Sequence, residues 1–300
     1  MGFEDVTTQD TVGILGPGAV GTALAVPLAE AGLDVVCIAR EAGVAAITAQ
    51  GLSLRHGSDI VRTVWPRAVA ELDEPVELLL VTVKATGLDD ALGRIKSSAG
   101  AVLPLLNGLE HVNTIRQRLD GRVLAGSIGK LEAYRHSATE TVQTTAAPLI
   151  TIFPEDGAAG LLRAAGFEVR PGESERAVLW EKTVRLAPLA AATAITQQTL
   201  GELRSDSGWR STLEAAVREA CRVAAADGVA LNEAAQWEIL DTMPGTVTTS
   251  TARDVAAGRP TELDAILGAV VRAAERLGVG APTLDRLLAE AEDACRAPSR

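Results

Sequence analysis

Three glycines in the spacing Gly16-x-Gly18-x-x-Gly21 stand between a short apolar run, Thr11 to Leu15, and an alanine-rich segment. Each place suits this residue type. Gly16 permits a tight turn, Gly18 lets an anionic group approach the backbone, and Gly21 lets a following helix pack close to the strand. The first amides of that helix, those of Ala19 and Val20 among them, offer N–H groups to anionic oxygen. An ordinary glycine-rich turn is the competing reading, but strand, glycines, helix and a second strand in register form the order that grips a dinucleotide.

The second strand, Asp34 to Arg40, bears on which dinucleotide. A site for a ribose 2′-OH would place an acid at its end, roughly 20 residues past the glycines. This chain has Ala39 and Arg40 there. A guanidinium presents a fixed fork of donors to a 2′-phosphate, so the expected cofactor is NADP(H), with a surface arginine beside Glu41 as the plain alternative.

A nicotinamide enzyme asks its protein for orientation, a proton donor or acceptor, and a substrate anchor. Lys84 follows the apolar run Glu77 to Val83, at the carboxyl end of a strand, where ligands bind in open α/β sheets. Asn107-Gly108 closes another strand end and is also a common turn pair. Lys182 has Val178 and Leu186 as its i−4 and i+4 neighbours, so its stem lies on an apolar stripe. Burial there would lower the pKa of its ammonium and make it a better proton donor, whereas snorkelling over apolar surface is the plain reading. Ser250 reads as an N-cap, Thr261 with Asp264 as a capping box, and Glu262 as a first-turn acid complementing a helix dipole.

Around these residues the pattern alternates strand and helix from Thr11 to about Arg170, then becomes helical after Arg170-Pro171-Gly172. The expected fold is α/β, an N-terminal Rossmann-type doubly wound sheet over residues 1–172 followed by an all-helical domain over 173–300. Predicted strands are Thr11–Leu15, Asp34–Ala39, Glu77–Val83, Ala101–Leu105, Val123–Ser127 and Phe167–Val169. Hairpins are expected across His56-Gly57-Ser58-Asp59 and between Thr141–Thr145 and Leu149–Ile152. Predicted helices include Glu173–Gln198, Ser211–Ala226, Thr251–Ala257 and Glu262–Leu277.

With 47% hydrophobic and 22% charged residues, the composition argues against disorder. A formal net charge of −11 argues against nucleic acid or an anionic membrane as partner. Cys37, Cys221 and Cys295 are widely spaced and read as reduced thiols. His56, His111 and His136 have no ligand spacing and are expected in loops or on helix surfaces, so no metal site is expected. The segment MGFEDVTTQD has no leader character, and apolar stretches such as Leu186 to Ile195 are far shorter than the roughly 18 residues of a span. A cytoplasmic enzyme is the expectation, with the helical domain available for a homodimer.

Taken jointly, GPGAVG, VKA, NG, WEK and Ser250 followed by TELD resemble the ketopantoate reductase (2-dehydropantoate 2-reductase) family across nearly the whole chain. The resemblance implies NADPH-dependent reduction of a 2-oxo acid in a cleft between a Rossmann domain and a helical domain. It implies Lys182 as general acid, Lys84 and Asn107 near nicotinamide and substrate, Ser250 as a substrate hydrogen-bond donor, and Glu262 as the acid supporting lysine and substrate. The family's helix has asparagines four and eight residues past its lysine, where this chain has Leu186 and Ala190. Two lost amides should disfavour a substrate that needs them, so hydride chemistry is expected with altered recognition of a small carbonyl substrate. Arg185 and Arg253 are candidate carboxylate anchors, Arg185 having Glu181 as an alternative partner. The competing readings are an NADP(H)-binding, redox-responsive interaction protein without turnover, and a same-fold enzyme acting on C=N or an alcohol.

Overall fold

The computed structural model describes residues 10–57, 60–145 and 148–296. Residues 1–9, read above for leader character, and Ser58-Asp59 of the first hairpin lie outside them. The chain divides into two compact units. The first comprises the described residues up to Leu106 together with Val112–Gly172; the second comprises Asn107–His111 and the described residues from Glu173.

The first unit is built on six strands in the order Arg67–Val69, Asp34–Ile38, Thr11–Leu15, Val76–Val81, Ala99–Pro104 and Arg122–Val123. Every neighbouring pair is parallel, as strand-helix alternation requires. The central strands are near-continuous apolar runs, the pattern of strands buried on both faces. Helix Ala19–Glu30 buries Gly21 to Val26 and Leu28, and it packs against the sheet and against strand Leu52–His56.

Leu52–His56 and Ile60–Val64 pair antiparallel, as the hairpin pattern predicts. Two other expectations are corrected. The strand expected over Val123–Ser127 is two: Arg122–Val123 ends the parallel sheet, and Ala125–Gly129 belongs to a three-stranded sheet with Leu149–Phe153 and Glu168–Pro171. The segments Thr141–Thr145 and Leu149–Ile152 do not form a hairpin, because Glu140–Gln143 pairs with Leu52–His56 and Ala133–Arg135, while Leu149–Phe153 pairs in the three-stranded sheet. Alternation marks such segments as strands but does not choose their partners.

The second unit is helical around one apolar cluster that includes Trp180, Val184, Ala190, Leu213, Ile266 and Leu284. Its longest helix, Glu175–Thr196, starts at Ser174, whose side chain accepts from the Ala177 amide at 3.1 Å, and ends at Gln197 in the left-handed region. Helix Leu200–Ser205, opened by a capping box between Thr199 and Glu202, escaped the sequence reading. Among the described residues no helix is long and apolar enough to cross a membrane.

Candidate active site residues in each unit

In the first unit the glycine loop has the expected local geometry. Gly16 has a φ of +87°, and a Cβ there would collide with Val83. A Cβ on Gly21 would sit 2.5 Å from the Gly16 carbonyl oxygen and 2.7 Å from Thr82 Oγ1, so only glycine lets this helix start so close to the strand. At Gly18 a Cβ would meet nothing nearer than 3.9 Å, which leaves the backbone open to a ligand. Thr82 completes the loop by donating to the Gly16 carbonyl at 2.8 Å. Sequence reasoning passed over it, since an isolated threonine in Val81-Thr82-Val83 carries no loop signal.

Arg40 occupies the N-cap position of helix Glu41–Gln50, just past strand Asp34–Ile38, and its side chain is 76% exposed. Its Nη2 lies 3.2 Å from Asp90 Oδ2. Lys84 is exposed, three residues beyond strand Val76–Val81, at the N-cap of a short 3₁₀ turn, Ala85–Gly87.

The second unit gathers Lys182, Asn107 and Glu262. Lys182 Nζ donates to Asn107 Oδ1 at 2.8 Å. Asn107 is set by Gly108, whose φ of +101° is costly for a side-chain-bearing residue and whose Cβ position is filled by the Ala265 carbonyl. Loss of hydration lowers the Lys182 pKa from 10.5 to about 8; the Glu262 carboxylate opposes this shift and the Arg185 guanidinium adds to it. Glu262 is buried, 8% exposed, just before a π-helical turn over Asp264–Gly268 that runs into helix Ala269–Leu277. The wide turn is seen in the bond from the Ala269 amide to the Asp264 carbonyl. A desolvated ammonium held by an amide oxygen near a carboxylate is equipped to deliver a proton.

Several readings are corrected. Ser250 is not the N-cap but the exposed first residue of helix Ser250–Ala256; Thr249 is the cap, its hydroxyl accepting from the Ala252 amide at 3.1 Å. Buried Thr249 also shares a 2.7 Å hydroxyl contact with Thr193, which fixes this helix to Glu175–Thr196. Thr261 and Asp264 form no capping box, because Asp264 pairs with Arg272 at 2.7 Å and Thr261 Oγ1 lies 3.7 Å from Cys295 Sγ. Arg185 needs no correction: it donates to the amide oxygen of Gln236, a contact compatible with either of its expected roles. His111 is buried rather than on a surface, and among the described residues neither ring nitrogen has a hydrogen-bond partner. Among the described residues no cluster of acidic, histidine or cysteine side chains could hold a metal.

Two family models cover most of the chain: ketopantoate reductase PanE/ApbA over residues 12–154, and ketopantoate reductase PanE/ApbA C terminal over residues 175–293. The chain belongs to the ketopantoate reductase family. It is therefore of a nicotinamide dinucleotide-dependent oxidoreductase family, and the open backbone at Gly18 with the helix start behind it fits the pyrophosphate of such a cofactor. It is 29% identical to a 2-dehydropantoate 2-reductase of Mycobacterium tuberculosis H37Rv, over 94% of this chain and 98% of that protein. A PanE/ApbA family ketopantoate reductase from Ralstonia eutropha JMP134 superposes with a TM-score of 0.86 at 29% identity, covering 95% and 98% of the two chains. The fold is shared with D-mandelate dehydrogenase, solved with NADH and anilino(oxo)acetate, at a TM-score of 0.85, 21% identity and the same coverage.

Proposed function

We propose that this protein is an NADPH-dependent reductase of a 2-oxo acid or related carbonyl, with Lys182 as general acid. The observation that carries the reading is the half-buried Lys182, held 2.8 Å from Asn107 Oδ1 with its pKa lowered to about 8.

The dinucleotide, when bound, supplies the hydride. Gly16, Gly18 and Gly21, with the amides of Ala19 and Val20, would hold its pyrophosphate. Arg40 would receive the 2′-phosphate, since its exposed guanidinium follows the second strand in the place of the usual acid. The neighbouring fold of D-mandelate dehydrogenase occurs with NADH, so the preference for NADPH rests on Arg40 and not on the fold.

Hydride addition to a carbonyl leaves an alkoxide that must receive a proton. Lys182 Nζ carries that proton. At a pKa of about 8 it is mostly protonated at neutral pH and is a stronger acid than an ordinary lysine. Asn107 Oδ1 directs one N–H of the ammonium, and the Glu262 carboxylate keeps the group charged against its loss of hydration. Lys84 would assist cofactor and substrate binding from the strand end, and Ser250 would bind substrate through its hydroxyl.

The test is NADPH and NADH oxidation over a panel of 2-oxo acids, ketopantoate among them, and of simpler ketones. Turnover of at least one 2-oxo acid, faster with NADPH, is the expected result. Tight NADPH binding with no oxidation by any carbonyl would replace this reading with that of a binding protein.

A further inference from the structure

The surroundings of Arg40 contain an anion of their own. Among the described residues Arg40 engages Asp90, on helix Leu88–Leu92, rather than the adjacent Glu41. Asp90 Oδ2 is also 3.4 Å from Arg94 Nη2, and its side chain is 57% exposed. Arg94 is the more enclosed arginine, at 24%. Both arginines hold the Asp90 carboxyl below its usual pKa, so it is anionic across the neutral range.

We propose that Asp90 is an internal competitor for Arg40 and sets how strongly this protein prefers the 2′-phosphorylated dinucleotide. The inference rests on the reading of Arg40 as the 2′-phosphate group. A phosphate dianion taking up the Arg40 guanidinium must displace Asp90 or share the fork with it, in either case with two like charges near one cation. Displacement is inexpensive because Asp90 keeps Arg94 as a partner. A dinucleotide with a bare 2′-OH makes no such demand, so the Arg40–Asp90 pair stays intact and NADH affinity is indifferent to Asp90. Asp90 is thus a specificity-determining residue that acts through Arg40.

Calorimetric titration of NADPH and NADH into wild type, Asp90→Asn, Asp90→Ala, Arg40→Ala and Arg40→Ala/Asp90→Asn tests this. Both single Asp90 variants should tighten NADPH about three- to tenfold, the scale of an exposed ion pair given up plus a like-charge repulsion removed, while NADH stays within about twofold. The gain should vanish in the Arg40→Ala background and shrink at high salt. If Arg40→Ala weakens NADPH but both Asp90 variants leave it unchanged or weaken it, the competition does not exist, although Arg40 keeps its role. Equal tightening of both dinucleotides would also overturn the proposal. If Arg40→Ala leaves NADPH affinity unchanged, the reading of Arg40 fails and this inference falls with it.

Discussion

Lys182 and Asn107 are 75 residues apart in sequence and meet at 2.8 Å, the ammonium donating to the amide oxygen. Gly108 makes the meeting possible. Its positive φ and its close approach to the Ala265 backbone seat Asn107 among residues of the helical unit, although the preceding chain belongs to the sheet.

Replacing Lys182 by alanine should lower turnover about 10²- to 10⁴-fold, the usual worth of a general acid, with NADPH affinity nearly intact. The acid must be protonated to act. Wild-type kcat/KM should therefore be highest below a pH of about 8 and fall as pH rises through that value. A turnover number unchanged in the variant would assign the proton to another group.

Glu262→Gln removes the charge that holds the Lys182 pKa up, so the alkaline limb of the pH profile should move below its wild-type position near 8. Glu262→Asp keeps the charge and should restore much of the limb. A purely structural carboxylate would change kcat or stability in both variants and leave the limb in place.

Burial drives the His111 pKa from 6.5 down to about 4, partly offset by Glu175, and among the described residues its ring nitrogens have no hydrogen-bond partner. Between those values the unfolded chain takes up a proton that the folded protein refuses. Stability should fall as pH drops from 6.5 toward 4, by about 3 kcal/mol at roughly 1.4 kcal/mol per pKa unit. Urea unfolding at several pH values reads this directly. In His111→Leu the slope over the window should flatten, and an unchanged slope would place the acid sensitivity elsewhere.

What was legible in the sequence is what depends on local spacing. The glycine loop, the four central parallel strands Thr11–Leu15, Asp34–Ile38, Val76–Val81 and Ala99–Pro104, and the helix carrying Lys182 follow from turn chemistry and periodicity, and the structure reproduces them within a few residues; the short edge strand Arg67–Val69 went unread. What escaped depends on contacts between distant segments. The partner strands of Glu140–Gln143 and Leu149–Phe153, the Arg40–Asp90 pair and the burial of His111 are set by tertiary packing, on which local pattern is silent. Thr249 and Ser250 show the smaller limit: both residue types cap helices, and only the fold chose Thr249.

The two hydrocarbon positions past Lys182 are not equivalent. Ala190 is fully buried in the apolar cluster of the helical unit, whereas Leu186, one turn from Lys182, is only partly buried against that cluster. Ala190→Asn would put an amide into packed surroundings and should cost about 1–3 kcal/mol for its unmet hydrogen bonds, seen as a lower Tm. Leu186→Asn can turn its amide toward a ligand and should fold normally. If Leu186 faces the substrate, wild type should favour a 2-oxo acid with a less polar side chain over ketopantoate. Leu186→Asn should shift the kcat/KM ratio toward ketopantoate by about tenfold, the worth of one hydrogen bond gained where hydrocarbon stood. The comparison needs both substrates, because a variant that merely loosens the site lowers both constants and leaves their ratio alone. Efficient wild-type turnover of ketopantoate, with a ratio unmoved by Leu186→Asn, would mean that the substrate side chain is recognised away from this helix face.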